Sequence, residues 1–219
     1  NIYIINSLAL NQNNADLLSG FGDALHYLFL NPENEYDYIN EQLKKINQNG
    51  IKKYFSNKNC VIDLAFHCHK IKRKYVQIDE FDKEIRKHLN LGHSFGHSLE
   101  TLFNYEIPHG IAVMHGIYMA YYLDLVINQR TKEKNLDILI SKLKYILDNQ
   151  TDFKVKTIQE KINQDLDVFI SILKKDKKNV NDDFVLIALS PSHPYIFKSN
   201  HACLKDYLNK IYNEINKNK

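Results

Sequence analysis

Long stretches of helically spaced apolar residues, seldom interrupted by residues that break a helix, are the feature that most constrains this fold. Only 7 glycines and 4 prolines occur among the 219 residues, and a β fold with many turns needs more of both. Apolar residues recur at intervals of three and four through most of the chain, which is typical of helices with one buried side. We therefore predict a mostly α, helical bundle-like domain with a small β element.

The apolar pattern divides into eight predicted helices and a few strands. The helices span residues 16–30, 36–46, 59–76, 81–103, 110–127, 136–147, 155–173 and 202–215. Residues 184–189 have the composition of a buried strand, and residues 195–197 are expected to pair back with it. A short strand is also predicted at residues 2–5.

Charge, cysteine content and hydropathy exclude several classes of protein. A net charge of +3, from 29 basic and 26 acidic side chains, is too balanced to indicate a nucleic-acid-binding protein. The three cysteines are too few for a disulfide scaffold, which indicates a reducing, cytoplasmic environment. We expect no signal sequence and no apolar run near the roughly 20 residues of a membrane span. Since no linker or repeat divides the chain, we interpret residues 1–219 as one domain.

One predicted helix carries polar residues where leucine or isoleucine is usual. Arg86, Asn90, His93 and His97 are separated by 4, 3 and 4 residues. On a continuous helix over residues 81–103 these steps form a single stripe. A polar stripe of this composition predicts a binding or catalytic surface.

Two glycines and a further histidine strengthen this interpretation. Gly92 and Gly96 lie inside the same predicted helix, where each costs about 1 kcal/mol relative to alanine. Such a cost indicates close approach by a ligand or by another backbone segment. His109 follows Pro108 at the entrance of the next predicted helix. With His93 it would supply two imidazoles of a zinc-type site, and the alternative is a surface group of histidines in a chain that has 10.

The sequence LNLGHSFGHSLE, followed by PHGIAV, resembles LNxGHTFGHAIE and HGEAV of the 3-dehydroquinate synthase family of sugar-phosphate cyclases. The distance between the two motifs is also similar. The resemblance implies that His93 and His109 are metal ligands. It further implies that three residues contact the substrate during catalysis, with the last of them near its phosphate: Arg86, Asn90 and His97.

The resemblance continues on both sides of these motifs. Lys72 begins a segment similar to the family's KAxVVxxDE, which implies a substrate-binding lysine. The segment SGFGDALHY resembles SGxAEVIKY, so Asp23 falls on the family's first metal ligand and His26 on a lysine that binds substrate. Downstream, DKKN resembles the same four residues in the family, which implies that Lys177 or Lys178 reaches the substrate.

Three departures from the family pattern keep alternatives open. Asp23 is shorter than the family's glutamate by one methylene, roughly 1.5 Å, and related iron-dependent alcohol and glycerol dehydrogenases use an aspartate here. His26 replaces the fixed positive charge of a lysine with a group that titrates near neutral pH. The alternative is that His26 ligates the metal itself. Ile111 replaces a carboxylate of the family motif.

The resemblance implies a two-domain enzyme whose first domain binds NAD through a Gly-rich loop. Neither GxGxxG nor GxxxxGK occurs among these residues. NAD is therefore expected to bind a domain outside this chain, and this chain is expected to be the C-terminal metal- and substrate-binding domain.

The implied activity is that of a phosphate-eliminating lyase of aromatic amino acid biosynthesis. It would convert a heptulosonate 7-phosphate into a carbocycle, with Zn²⁺ (or Co²⁺) and NAD as cofactors. The alternatives are a metal-dependent alcohol or glycerol dehydrogenase and a degenerate, non-catalytic domain. Expected partners are a small-molecule sugar phosphate and a second copy of the chain in a homodimer, without nucleic acid or membrane.

Other histidines are interpreted as structural. Adjacent residues on a helix point in different directions and seldom share an ion, so His67, Cys68 and His69 are not expected to form a metal site. His115 lies within the apolar helix 110–127 and is predicted to be a core histidine.

Overall fold

The fold is built around one helix, His109–Asn128, that has no polar side. The computed structural model describes residues 12–131, 133–175 and 184–217. In chain order these residues form α1 (Asn14–Leu28), α2 (Tyr36–Asn49), α3 (Ile51–Ser56), α4 (Lys58–Ile78), a 3-10 helix (Ile85–Asn90), α5 (His93–Leu102), α6 (His109–Asn128), α7 (Lys134–Gln150), α8 (Val155–Gln164), α9 (Leu166–Lys174), β1 (Phe184–Leu189), β2 (Pro194–Ser199) and α10 (His201–Lys217). The fold is thus mostly α with a small β element, as predicted.

Helix α6 is the centre of the core. Every residue from Gly110 to Leu125 is buried, as expected for a helix that is apolar all round. Helices α1 and α5 pack against it, and α7, α10 and β1 cover its remaining sides. In length and composition α6 could cross a membrane, so the expectation of no such apolar run is wrong. However, 89% of its 18-residue apolar stretch is buried inside this domain.

Glycines bring α1 and α5 unusually close to α6. A Cβ added to Gly22 of α1 would lie 2.1 Å from the carbonyl oxygen of Gly110. A Cβ added to Gly116 would lie 1.9 Å from the carbonyl oxygen of Gly92. Real side chains do not fit at such distances, so these contacts hold the first turns of α5 and α6 against their neighbours.

The β element is a two-stranded antiparallel hairpin. Phe184 pairs with Ser199, and Leu189 pairs with Pro194. The proline begins its strand at an open edge, where the missing N–H is tolerated. The strand prediction at residues 184–189 and its pairing with residues 195–197 are confirmed, whereas the predicted strand at residues 2–5 lies outside the described residues.

The continuous helix predicted for residues 81–103 is wrong. The carboxylate of Asp79 accepts hydrogen bonds from the backbone N–H groups of Lys83, Glu84 and Arg86, which compete with helical hydrogen bonding. A 3-10 helix follows, and Gly92 then adopts a left-handed φ of 79° before α5 begins.

The polar stripe inferred from that helix is therefore divided. Arg86 and Asn90 lie on the 3-10 helix, whereas His93 and His97 lie on α5. The close approach predicted from the glycines does occur, and the approaching group is the backbone of α6: a Cβ on Gly96 would be 3.2 Å from Ala112.

Two further helix boundaries differ from the sequence pattern. Residues 155–173 form two helices, because the chain turns at Asp165 (φ −112°, ψ 35°) and each helix then buries its own apolar residues. Helix α3, which the sequence did not indicate, begins after Gly50 at φ 77°.

The core position predicted for His115 is confirmed. His115 is 0% exposed, and its Nε2 lies 2.8 Å from the carbonyl oxygen of Phe153. His67 stacks on Tyr38 and pairs with Glu35, and all three cysteines are free thiols.

Candidate metal centre

Three helices place one carboxylate and two imidazoles together. Asp23 lies on α1, and His93 and His109 are the first residues of α5 and α6. The Oδ1 of Asp23 is 3.6 Å from the Nε2 of His93 and 3.7 Å from the Nε2 of His109. The left-handed Gly92 and the extended Pro108 precede the two histidines and turn the chain into each helix.

The electrostatics of this group are those of a cation site. The imidazoles of His109 and His93 hold the pKa of the Asp23 carboxyl well below its usual range. Asp23, and then Glu100, raise the pKa of His109 to about 9 against the opposing effect of burial. A proton on His109 thus balances the carboxylates, and a divalent cation between the same groups would take over that charge.

The separations of Asp23 from the two imidazoles suit a zinc-type ion. Zinc bonds of about 2.0–2.1 Å in a tetrahedral arrangement separate neighbouring ligand atoms by about 3.3–3.4 Å. The observed separations of 3.6 and 3.7 Å are close to this value. The Asp23 and His109 side chains are 52% and 40% exposed, so a ligand could approach from that side, as catalytic zinc sites require.

Hydrogen bonds orient both imidazoles toward Asp23. The Nδ1 of His109 lies 3.2 Å from both carboxylate oxygens of Glu100, and the Nδ1 of His93 lies 3.2 Å from the carbonyl oxygen of Leu91. Carboxylate and carbonyl oxygens only accept, so each Nδ1 carries the hydrogen. With a metal bound, each ring would be neutral, and its Nε2 would direct a lone pair toward the ion beside Asp23, which is how metal-binding histidines are usually held.

Glu100 contacts a candidate ligand, and sequence reasoning missed it. It is the last residue of LNLGHSFGHSLE, but the sequence pattern assigned it no role. The signal available in the sequence was its position seven residues after His93, which places both on one side of a helix.

His97 and His26 both lie beside the candidate ligands, the first exposed and the second buried. The exposed His97 ring lies 5.5 Å from the ring of His109 and 5.6 Å from that of His93, measured between centroids. His26 is only 2% exposed and lies 4.6 Å from the His93 ring. Burial lowers the pKa of His26 to about 3, with the charge on His93 adding to the effect, so the ring is neutral.

The other predicted substrate-binding residues are arranged differently. Lys72 extends over the ring of Tyr27, 5.5 Å from its centroid, and Tyr27 in turn packs on His26. Arg86 donates to the carbonyl of Glu80, and the Asn90 amide donates to the carbonyl of Lys87. The last two side chains thus bind their own loop instead of turning toward the three candidate ligands.

Lys177 and Lys178 lie outside the described residues. The structure therefore gives no position for the predicted substrate lysine of that segment.

Comparison with known proteins identifies a common family. Residues 20–179 match the protein-family model described as 3-dehydroquinate synthase C-terminal. A bifunctional 3-dehydroquinate synthase/phosphatase of Fusobacterium nucleatum is 33% identical over 174 residues, which are 78% of this chain and 24% of that protein. A 3-dehydroquinate synthase of Macrococcus caseolyticus is 25% identical over 178 residues, 81% of this chain and 45% of that enzyme. The chain therefore spans less than half of either relative.

Solved structures share the fold. A 2-deoxy-scyllo-inosose synthase complexed with carbaglucose-6-phosphate, NAD+ and Co2+ superposes with a TM-score of 0.69 at 16% identity, covering 95% of this chain and 54% of that one. A 2-epi-5-epi-valiolone synthase from Streptomyces hygroscopicus, with NAD+ and Zn2+ bound, gives a TM-score of 0.66 at 12% identity, covering 98% and 55%.

Proposed function

Because this chain belongs to the 3-dehydroquinate synthase family, as its C-terminal domain, we propose that it is the metal- and substrate-binding part of a phosphate-eliminating cyclase. The substrate class proposed is a heptulosonate 7-phosphate, and the product is a carbocycle. NAD would be bound by a domain outside these residues. We also propose a cytoplasmic location and a homodimer, as the sequence led us to expect.

The observation that carries this proposal is the meeting of Asp23, His93 and His109 at distances suited to one ion. The three residues come from three helices, so chance proximity along the chain does not explain it.

A divalent metal held by Asp23, His93 and His109 would polarise a hydroxyl or carbonyl oxygen of the substrate as a Lewis acid. His97, exposed beside them, would exchange a proton at the leaving phosphate, since imidazoles do so near neutral pH. Lys72 and Arg86 are cations that would bind the carboxylate and phosphate of the substrate. For Arg86 this requires release from the carbonyl of Glu80.

Asp23 favours one second candidate, a metal-dependent alcohol or glycerol dehydrogenase. An aspartate at this position is expected for such enzymes. Lys72, Arg86 and His97, as groups suited to anions, favour the cyclase over it, because a simple polyol offers them no anion to bind.

The test uses the protein produced from its complete reading frame, with zinc and NAD supplied. Released inorganic phosphate and the carbocyclic product are measured with a heptulosonate 7-phosphate, and NADH is measured with glycerol and simple alcohols. We expect phosphate release, and a loss of about 100-fold or more in His97→Ala with zinc still bound. The exposed His69→Ala is the matched control and should retain full activity.

Two results would contradict the proposal. NADH formation from polyols without phosphate release would assign the dehydrogenase activity. Neither reaction, together with no bound zinc, would leave a non-catalytic domain.

A further inference from the structure

The side chain of His26 is buried beside the candidate metal ligands with one nitrogen unused. His26 is 2% exposed, and its Nδ1 is fully buried. Among the residues that the structure describes, the backbone of Asp23 approaches the His26 ring, but no partner with good hydrogen-bond geometry reaches this nitrogen. Buried polar atoms of this kind are rare, and an ion is one of the few explanations for them.

The unused nitrogen faces the same oxygen as the other two imidazoles. The Nδ1 of His26 lies 3.9 Å from the Oδ1 of Asp23, compared with 3.6 Å for His93 and 3.7 Å for His109. Ligand atoms of Asp23, His26 and His93 all lie within 4.8 Å of one another. One carboxylate oxygen is therefore surrounded by three imidazole nitrogens at similar distances.

We infer that His26 is a fourth protein ligand of the metal, bound through Nδ1. This inference rests on the metal centre of the proposed function and adds a ligand to it. A lysine at this position would carry a positive charge that an adjacent cation repels, whereas a neutral imidazole is a good zinc ligand. Two ligands would then bind the ion from one helix, because His26 and Asp23 are three residues apart on α1.

Four protein ligands still leave a place for substrate. The His26 side chain is 3% exposed, whereas those of Asp23 and His109 are 52% and 40% exposed. His26 would therefore bind the ion from the interior, and the solvent side stays open. Zinc sites expand to five ligands during catalysis, so a substrate oxygen could enter as the fifth.

The ligand set can be counted directly by X-ray absorption spectroscopy of the zinc-loaded complete protein, in which each bound imidazole gives a scattering signal. We expect three imidazoles per zinc in the wild type and two in His26→Phe, which keeps a ring of similar size without the nitrogen. The zinc Kd should rise at least about 10-fold in that variant, because second-sphere changes alone cost that much. His93→Ala is the positive control, and the exposed His69→Ala is the negative control.

If His26→Phe fails to fold, the count in His97→Ala decides the matter, because His97 is the other imidazole beside the candidate ligands. Three imidazoles support the inference, and two imidazoles with one carboxylate overturn it while leaving the proposed function intact. A wild-type protein that binds no zinc overturns both.

Discussion

At the scale of single residues, Glu100 acts on an imidazole without needing to touch a metal itself. Its carboxylate holds the Nδ1–H of His109 at 3.2 Å, so its loss leaves the ring free to rotate. Such supporting residues typically contribute 10- to 100-fold to metal affinity.

We therefore expect Glu100→Ala, which removes the acceptor, to weaken zinc binding by about 10- to 100-fold. The measurement is a competition titration with a chromophoric chelator. Glu106→Ala, an exposed change in the same α5–α6 connection, should leave the Kd unaltered. Equal affinities in the two variants would show that Glu100 does not orient the ligand.

A second prediction at this scale concerns His115, whose pKa burial lowers to about 4. The unfolded chain binds this proton near pH 6.5, so acidification from pH 6.5 to 4 favours unfolding. The stability contributed by the neutral ring is complete above pH 6.5 and falls by up to about 1.4 kcal/mol per pH unit below it.

Urea unfolding of metal-free protein at pH 7 and pH 5 tests this expectation. His115→Leu should lose less stability than the wild type on acidification, because it removes one such group. The exposed His69→Leu should lose as much as the wild type. His26 is buried in both proteins, so its own contribution cancels in the comparison.

The candidate ligands could be chosen from the sequence because their motifs are long and specific. The contact of Glu100 with His109 and the unused nitrogen of His26 could not, since both depend on how closely three helices pack. Ile111 illustrates the same limit: it replaces a carboxylate in the motif, and in the structure it is 2% exposed in the core.

At the scale of elements, the glycine contacts between α1 and α6 set the position of Asp23. Gly22 precedes Asp23 and touches the backbone of Gly110, which follows His109. Adding a methyl group there must push the two helices apart and separate the two candidate ligands.

Gly22→Ala should therefore lower the free energy of unfolding by about 1–3 kcal/mol, as overpacking does, and weaken zinc binding. Gly20→Ala is the matched control, because a Cβ at Gly20 meets nothing within 4 Å and alanine favours a helix by up to about 1 kcal/mol. Thermal melts and zinc titrations of both variants give the comparison. Similar behaviour of the two variants would contradict the packing argument.

Helical periodicity was a good guide to most elements and a poor one at the site. It predicted α1, α2, α4, α6, α7 and α10 because each buries one continuous side or lies wholly in the core. It failed between residues 81 and 92, where Asp79 caps the backbone and Gly92 has positive φ. Neither effect changes the spacing of apolar residues, so helical periodicity could not reveal the break.

At the scale of the whole molecule, the candidate metal centre joins the starts of two helices to the middle of a third. Binding to the folded state alone stabilises a protein by about 2.7 kcal/mol at 100 times the Kd. We expect zinc to raise the Tm of the wild type and to leave that of His93→Ala unchanged, as measured by calorimetry with and without a chelator. Equal shifts in both proteins would place the zinc elsewhere.

The burial of α6 on every side also has a consequence for synthesis of the protein on the ribosome. Helices α1 and α5 precede α6 in the chain, whereas α7, β1 and α10, which cover its other sides, are made after it. A nascent chain that ends before α10 leaves part of the most apolar helix exposed, and such intermediates aggregate readily. We therefore expect aggregation of the nascent chain to be most pronounced between translation of α6 and of α10.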